Sequence, residues 1–339
     1  MIAMTGSRRP TVTVALAVLA LGIAACGDDE ASPDSRSGTS PGSGSGESSS
    51  PPPVHSDLSG LVRVDGSRVI APLTEAVAEG FKESNPRVGV AVGTAGTGAG
   101  FESLCASKAD ISDAAWLFDE RVEQQCAEAG IAYRDAQVAT EVLVVMVNKE
   151  NPVGCLTVAQ LAAIWGADSK ISSWDEIPDL KEEFDEELAL SGPAIDSASF
   201  EYFTEAITGV AGGTREDYND VGDDEDATVA AVEDTLGGMG FANFSSFRQN
   251  EDKVKALEVD DGKGCVGPSA ETAQDGSYAP LSRPLLLYLS DRALKRPEVK
   301  AFVDYYLENV GNLAESAGFV PLTEKQLAKS KAEAKKVGA

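Results

Sequence analysis

The sequence predicts an α/β fold, and three observations carry the prediction. Short β-branched runs alternate with amphipathic helical stretches along the chain. Two of the strand-like runs are long and apolar, Leu285–Leu289 and, apart from Thr140 and Glu141, Val138–Val147, as strands buried on both faces are. Helix-start signals recur, with Thr157 ahead of Gln160 and Thr323 ahead of Gln326 forming capping boxes.

In chain order, Leu61–Val64 reads as a strand and Gly66-Ser67 as the turn after it. A helix follows over Pro72–Ser84, with Leu73, Val77 and Phe81 on one face. Val88–Val92 is a second strand. It leads into Gly93, Gly96, Gly98 and Gly100, interleaved with small and hydroxyl residues, and then a further helix. Glycines let backbone approach a ligand closely, and free N–H groups at a helix start favour an anion. The acidic turn Asp110-Ile111-Ser112-Asp113 lies close by. A carboxylate beside an anion site makes sense when the anion carries a proton for it to accept. Thr157–Trp165 reads as a helix, and Asp196-Ser197-Ala198-Ser199 reads as the capped start of a helix over Phe200–Ile207. Glu216–Asp226 reads as a solvated acidic loop. Pro297–Val310 is amphipathic, and the Thr323 box opens a Lys-rich final helix.

A length of 339 residues is enough for one or two domains with real cores. The net charge of −27 excludes the basic face a nucleic-acid binder needs and reads as an acidic, soluble surface. The N-terminus reads as a signal peptide over residues 1–25: Arg8 and Arg9 precede an apolar stretch, Thr11–Ala25, too short to span a bilayer. It ends in Leu21-Gly22-Ile23-Ala24-Ala25-Cys26, which resembles a bacterial lipobox that would make Cys26 the lipidated first residue. Residues 26–56 are rich in Ser, Gly, Pro and Asp and read as a flexible tether. Anchor, tether and folded part together place the protein on the outer face of the bacterial cytoplasmic membrane.

Four cysteines remain, Cys105, Cys126, Cys155 and Cys265. An even number in an exported chain implies two disulfides, with three possible pairings. No CxxC spacing exists, so no zinc site is expected. The single histidine, His55, lies in the tether, which removes Ser-His-Asp and Cys-His chemistry. There is no GxxxxGK[ST], and Phe101 interrupts the glycine spacing of a dinucleotide fingerprint. The chain is therefore read as a binding protein rather than an enzyme, with no cofactor and no metal.

Seven segments in order carry a family resemblance: GSRVIAPLTEAVAEGF, VGTAGTGAGFESLCASKADISDAA, LTVAQLAAIW, SGPAIDSASFEYFTEAITG, ETAQDGSYAPLSRPLLLYL, RPEVKAFVDYYLEN and GFVPL. From about Leu61 to Leu322 the chain resembles the PstS-type phosphate-binding lipoproteins, receptors of bacterial phosphate ABC importers. The resemblance implies a two-lobed periplasmic-binding-protein fold of type II, with the ligand between lobes joined by two crossing strands near Val138–Val147 and Ser282–Leu289. Lobe 1 would take residues 57–140 and 283–325, lobe 2 residues 141–282, and residues 326–339 a C-terminal helix and tail. With those lobes, the pairings Cys105–Cys126 and Cys155–Cys265 are preferred, since each falls within one lobe. The implied partners are phosphate and an ABC permease, with the protein acting as a monomer.

Carried over by position, Ser67 matches the first binding loop, and Gly96, Thr97 and Gly98 the second. Ser112 and Asp113 match the Ser-Asp turn, with Asp113 as the proton acceptor that discriminates against sulfate. Asp196, Ser197 and Ser199 match the third helix start. The chain departs from the family pattern at several places. Gly-Ser-Ser-Thr becomes Gly66-Ser67-Arg68-Val69, and Ser-Asp-Ala-Ser-Arg becomes Ser112-Asp113-Ala114-Ala115-Trp116. Three lost hydrogen bonds to a charged ligand at about 1.5–3 kcal/mol each amount to several decades of affinity. Arg68 is the expected replacement for the missing cation, making a forked contact with the anion. Trp116 is a cleft residue able to stack on an organic ligand. Two other readings follow: another anion or organic phosphate in the same cleft, or a surface sensor or scaffold that no longer transports.

Overall fold

A computed structural model describes residues 57–336. The signal peptide, Cys26, the tether and His55 lie outside the described residues. Among the described residues, no helix is long and apolar enough to cross a membrane.

The chain opens with β1 (Gly60–Gly66), α1 (Ala71–Ser84), β2 (Val88–Val92), α2 (Thr97–Cys105), β3 (Ile111–Ala114) and α3 (Glu120–Glu128). Then β4 (Tyr133–Asn148), sixteen residues long, is the spine of the molecule. Beyond it come β5 (Cys155–Thr157), α4 (Val158–Trp165), β6 (Ala189–Gly192), α5 (Ala198–Thr208), β7 (Asn219–Asp220) and α6 (Glu225–Glu233). The chain continues through β8 (Gly238–Asn243), α7 (Phe244–Gln249), β9 (Val254–Ala256), β10 (Glu258–Asp260), β11 (Cys265–Val266) and α8 (Ala270–Gln274). It returns along β12 (Ser282–Ser290) and closes with α9 (Pro297–Ser316) and α10 (Glu324–Lys335).

The strand order β2-β1-β3-β12-β4-β8-β6-β7 explains the two lobes. Residues 133–142 of β4 pair antiparallel with β12, and Leu143–Val147 pair with β8. One strand thus belongs to both lobes, and its residues Val138–Val147 are buried without a break. Two main cores flank this crossing. One gathers Val62, Leu73, Phe81, Val138, Leu287, Phe302 and Tyr306. The other gathers Val144, Trp165, Trp174, Phe200, Phe203 and Phe241. In the first lobe β1, β2 and β3 run parallel, so their C-terminal ends and the helices that follow open onto one edge. In the second lobe β6, β7 and β8 do the same. In open sheets of this kind, ligands bind at the C-terminal ends of the strands.

Both expected disulfides are present, Cys105–Cys126 and Cys155–Cys265. The first fastens α2 to α3. The second ties β5 to β11 across the small sheet β11-β10-β5. The capping boxes at Thr157 and Thr323 form as the sequence predicts. The acidic run is more ordered than the expected loop. Asn219–Asp220 form β7, Asp224 caps α6, and Asp220 accepts the Ile195 N–H at 3.1 Å. Carboxylates there hold backbone donors, a structural use that charge alone does not reveal.

Candidate functional site

The loop after β1 places Ser67 beneath the end of β3: its N–H donates to the Asp113 carbonyl at 2.9 Å. Its Oγ accepts the Val69 N–H at 3.2 Å. Thr97 opens α2, and its Oγ1 accepts the Ala115 N–H at 3.3 Å. Ser197 caps α5 on the opposite lobe, its Oγ accepting the Phe200 N–H at 3.1 Å. The three hydroxyls share one chemical state. Each spends an acceptor lone pair on a backbone N–H and keeps its O–H proton to donate.

No side chain caps the start of α2, so its first-turn N–H groups are left for another partner. Gly96 has φ 98°, a left-handed conformation suited to glycine. A Cβ on Gly96 or Gly98 would meet nothing within 4 Å, so this backbone faces open space. At Gly100 the reverse holds. A Cβ there would stand 2.6 Å from both the Gly66 Cα and the Ser112 Oγ, so the glycine lets α2 press onto β1 and β3.

On β3, Ser112 and Asp113 are fully buried, and the Ser112 Oγ and Asp113 Oδ1 have no hydrogen-bond partner. Orphaned polar atoms in a packed interior are costly, and a ligand is one way to satisfy them. The other Asp113 oxygen is held: Oδ2 accepts from Thr74 Oγ1 at 2.8 Å, and Thr74 Oγ1 stands 3.1 Å from the Tyr306 hydroxyl. The threonine has one proton and gives it to the carboxylate, so the tyrosine donates to the threonine. Burial pushes the Asp113 carboxyl up from 3.8 to about 7, against the Thr74 hydrogen bond, with the Asp65 charge adding to the rise. The same burial raises the Tyr306 hydroxyl well above its ordinary value, which keeps it a proton donor.

The halves meet through Arg68 and Glu201, one from each lobe, with Nη2 2.5 Å from Oε2. The expected forked contact between Arg68 and an anion is replaced in this structure by a single hydrogen bond to Glu201. Glu201 sits in the first turn of α5, on the turn that Ser197 caps, so its carboxylate reaches the guanidinium first. Ser199 is half-buried in that same first turn, and Asp196 is exposed ahead of the cap. Trp116 is no core residue: it is 48% exposed and lines the cleft between the lobes. The clusters that could hold a metal reduce, among the described residues, to Cys155, Glu258 and Cys265, whose two sulfurs already form a disulfide.

A family model described as a PBP superfamily domain matches residues 35–310. The chain is 39% identical over 272 residues to Protein SphX of Synechococcus elongatus, covering 78% of each chain. It is 33% identical over 278 residues to the phosphate-binding protein PstS of Staphylococcus haemolyticus, covering 79% of this chain and 83% of that one. The chain belongs to the PstS-type phosphate-binding protein family. A possible phosphate binding protein from Planctomyces limnophilus matches this PstS-type fold with a TM-score of 0.76 at 36% identity, covering 82% of this chain and all of that one. An ABC-type phosphate transport receptor from Vibrio cholerae shares the fold, with a TM-score of 0.62 at 21% identity and coverage of 77% and 99%. Of these, the Staphylococcus haemolyticus and Planctomyces limnophilus proteins carry names that say phosphate binding.

Several residues of the site escape sequence reasoning. Thr74 and Tyr306 lie on helix faces whose apolar neighbours dominate the pattern. A buried threonine amid Leu73, Val77 and Phe81 is the signal that could have singled out Thr74. Glu141 and Arg283 form an ion pair of 2.5 Å where β4 and β12 cross, and the guanidinium lies 3.6 Å over the Tyr202 ring. Burial raises the Glu141 carboxyl, and the Arg283 charge and hydrogen bond oppose the rise. Nothing in the sequence marks these two as partners, because they are 142 residues apart.

Proposed function

We propose that this chain is an extracytoplasmic receptor that captures inorganic phosphate between its lobes and delivers it to an ABC permease. The observation that supports this most is the mix of donors and one acceptor. Ser67, Thr97 and Ser197 hold free O–H protons, α2 offers uncapped N–H groups, and Asp113 offers one unpartnered oxygen. Hydrogen phosphate has this pattern in mirror image: several acceptor oxygens and one O–H. Sulfate near neutral pH has no proton to give and would set its charge against an ionised Asp113. In a dry site such neutral donors act strongly on an anion.

The ligand set is Ser67, Gly96, Thr97, Gly98, Ser112 and Asp113 from residues 57–140, facing Ser197 and Ser199 from residues 141–282. Asp196 sits at the rim. Arg68 closes over the anion, exchanging Glu201 for it. Residues 283–325 complete lobe 1. Lipidated Cys26 and the tether hold this monomeric protein to the outer face of the membrane, and it performs no catalysis. The test is calorimetric titration of the purified full chain at pH 8 with phosphate, arsenate and sulfate, after stripping bound ligand by unfolding and refolding. Phosphate and arsenate bind and sulfate does not. Silence for all three anions would sink the reading.

A further inference from the structure

Asp113 stands at the end of a buried relay of three side chains from three elements. Tyr306 comes from α9, Thr74 from α1 and Asp113 from β3, and none of them is exposed. The Thr74 Oγ1 lies 3.1 Å from the Tyr306 hydroxyl and 2.8 Å from Asp113 Oδ2. Phe81 and Phe302, from the same two helices, meet edge-on with ring centroids 5.4 Å apart, so α1 is held against α9.

The direction of the relay is fixed at its far end. Among the described residues, the Tyr306 hydroxyl has no hydrogen-bond partner except Thr74. Reversing the relay would protonate Asp113 Oδ2, turn the Thr74 proton towards Tyr306 and leave the tyrosine proton with no acceptor. An unsatisfied donor in a dry interior is costly. Tyr306 therefore donates to Thr74, and Thr74 to Oδ2, in both charge states of Asp113. The proton that Asp113 gains or loses is then carried on Oδ1, the oxygen without a partner. Resting on the phosphate reading above, we propose that Thr74 and Tyr306 are positioning residues that set anion specificity, by holding Oδ2 as a fixed acceptor so that Asp113 meets the ligand through Oδ1 alone. An ionised Oδ1 accepts the P–O–H of hydrogen phosphate and repels sulfate. A protonated Oδ1 donates to either anion. The Thr74 hydrogen bond favours the ionised form against burial, and the Asp65 charge on β1 opposes it. The other elements packed on β3 add no charge: β12 sets Leu287 opposite Asp113, and Glu102 of α2 is exposed. A threonine outside the ligand set thus tunes the pH at which the site rejects sulfate.

The test is calorimetric titration of the full chain, stripped of ligand, with phosphate and with sulfate from pH 5.5 to pH 9. It compares wild type with Thr74→Val, Thr74→Ser and Tyr306→Phe. In wild type, sulfate binding is lost as pH rises through about 7. Removing the Thr74 donor lets Asp113 keep its proton to higher pH. In Thr74→Val, which keeps the shape of the side chain, sulfate binding is lost about one to two pH units higher, the size of one hydrogen bond to a charged group. Sulfate then binds at pH 8, where wild type rejects it. Thr74→Ser restores the wild-type profile. Tyr306→Phe moves the profile in the same direction by less, because Thr74 still donates but is free to turn away, and it carries the test if Thr74→Val does not fold. A purely structural role would weaken both anions equally and leave the pH of sulfate loss where it is in wild type. That outcome overturns the inference and leaves the phosphate reading standing. Silence of the wild type for both anions at every pH sinks the two together.

Discussion

Replacing Asp113 by asparagine tests the centre of the site through stability as well as binding. In the ligand-free protein, burial raises the Asp113 carboxyl from 3.8 to about 7. An unfolded chain ionises this group near its ordinary value. Between about pH 4 and pH 7 the folded protein therefore holds a proton that the unfolded chain has released. Stability falls as pH rises wherever the folded state binds more protons, and this contribution is fully lost above about pH 7. A rise from 3.8 to about 7 corresponds to about 4 kcal/mol. The assay is urea unfolding of the full chain, stripped of ligand, from pH 4 to pH 8 for wild type and Asp113→Asn. The wild type loses up to about 4 kcal/mol relative to the variant across that window. Parallel curves would show that Asp113 ionises normally and would refute the buried proton acceptor. The same logic extends to ligands: at pH 5.5 a protonated Asp113 is a donor, so sulfate binds there and not at pH 8.

Other outcomes follow from the same structure. Glu201→Gln removes a carboxylate from the cleft mouth and frees Arg68. Because both side chains are nearly half exposed, at 49% and 46%, the gain in phosphate affinity by calorimetry is at most about fivefold. Gly100→Ala forces a Cβ to 2.6 Å from the Gly66 Cα. It lowers unfolding stability by about 1–3 kcal/mol in urea titration and weakens anion binding by pushing α2 off β3. Replacing Cys155 and Cys265 together by alanine opens a link between residues 110 apart. It reduces the unfolding free energy by about 2–5 kcal/mol, read as a lower urea midpoint, and an unchanged midpoint would mean that the small sheet holds without its clamp.

Much of the site is written locally. Ser67 follows a strand end, Gly96 and Thr97 open a helix, and Ser197 caps one, so each is legible from its immediate neighbours. The capping boxes at Thr157 and Thr323 depend on a spacing of three residues and form as read. What was not legible depends on partners distant in the chain. Thr74 reaches Tyr306 across 232 residues, and Arg68 meets Glu201 across 133. An exposed arginine beside an expected anion site attracts the reading of a ligand, yet the nearest charge in space is a glutamate on the opposite helix. Trp116 likewise offered only its residue type, and its exposure on the cleft wall comes from the end of β3 facing α5.

By itself, the sequence determined the alternation of strands and helices, the helix starts and the acidic composition. These follow from periodicity, capping and composition, which act over a few residues. Tertiary structure alone decided that β4 serves both lobes and that Asp113 is buried with one oxygen held and one free. Those properties arise from desolvation and from pairing between segments distant in the chain, and neither is a local property of the chain.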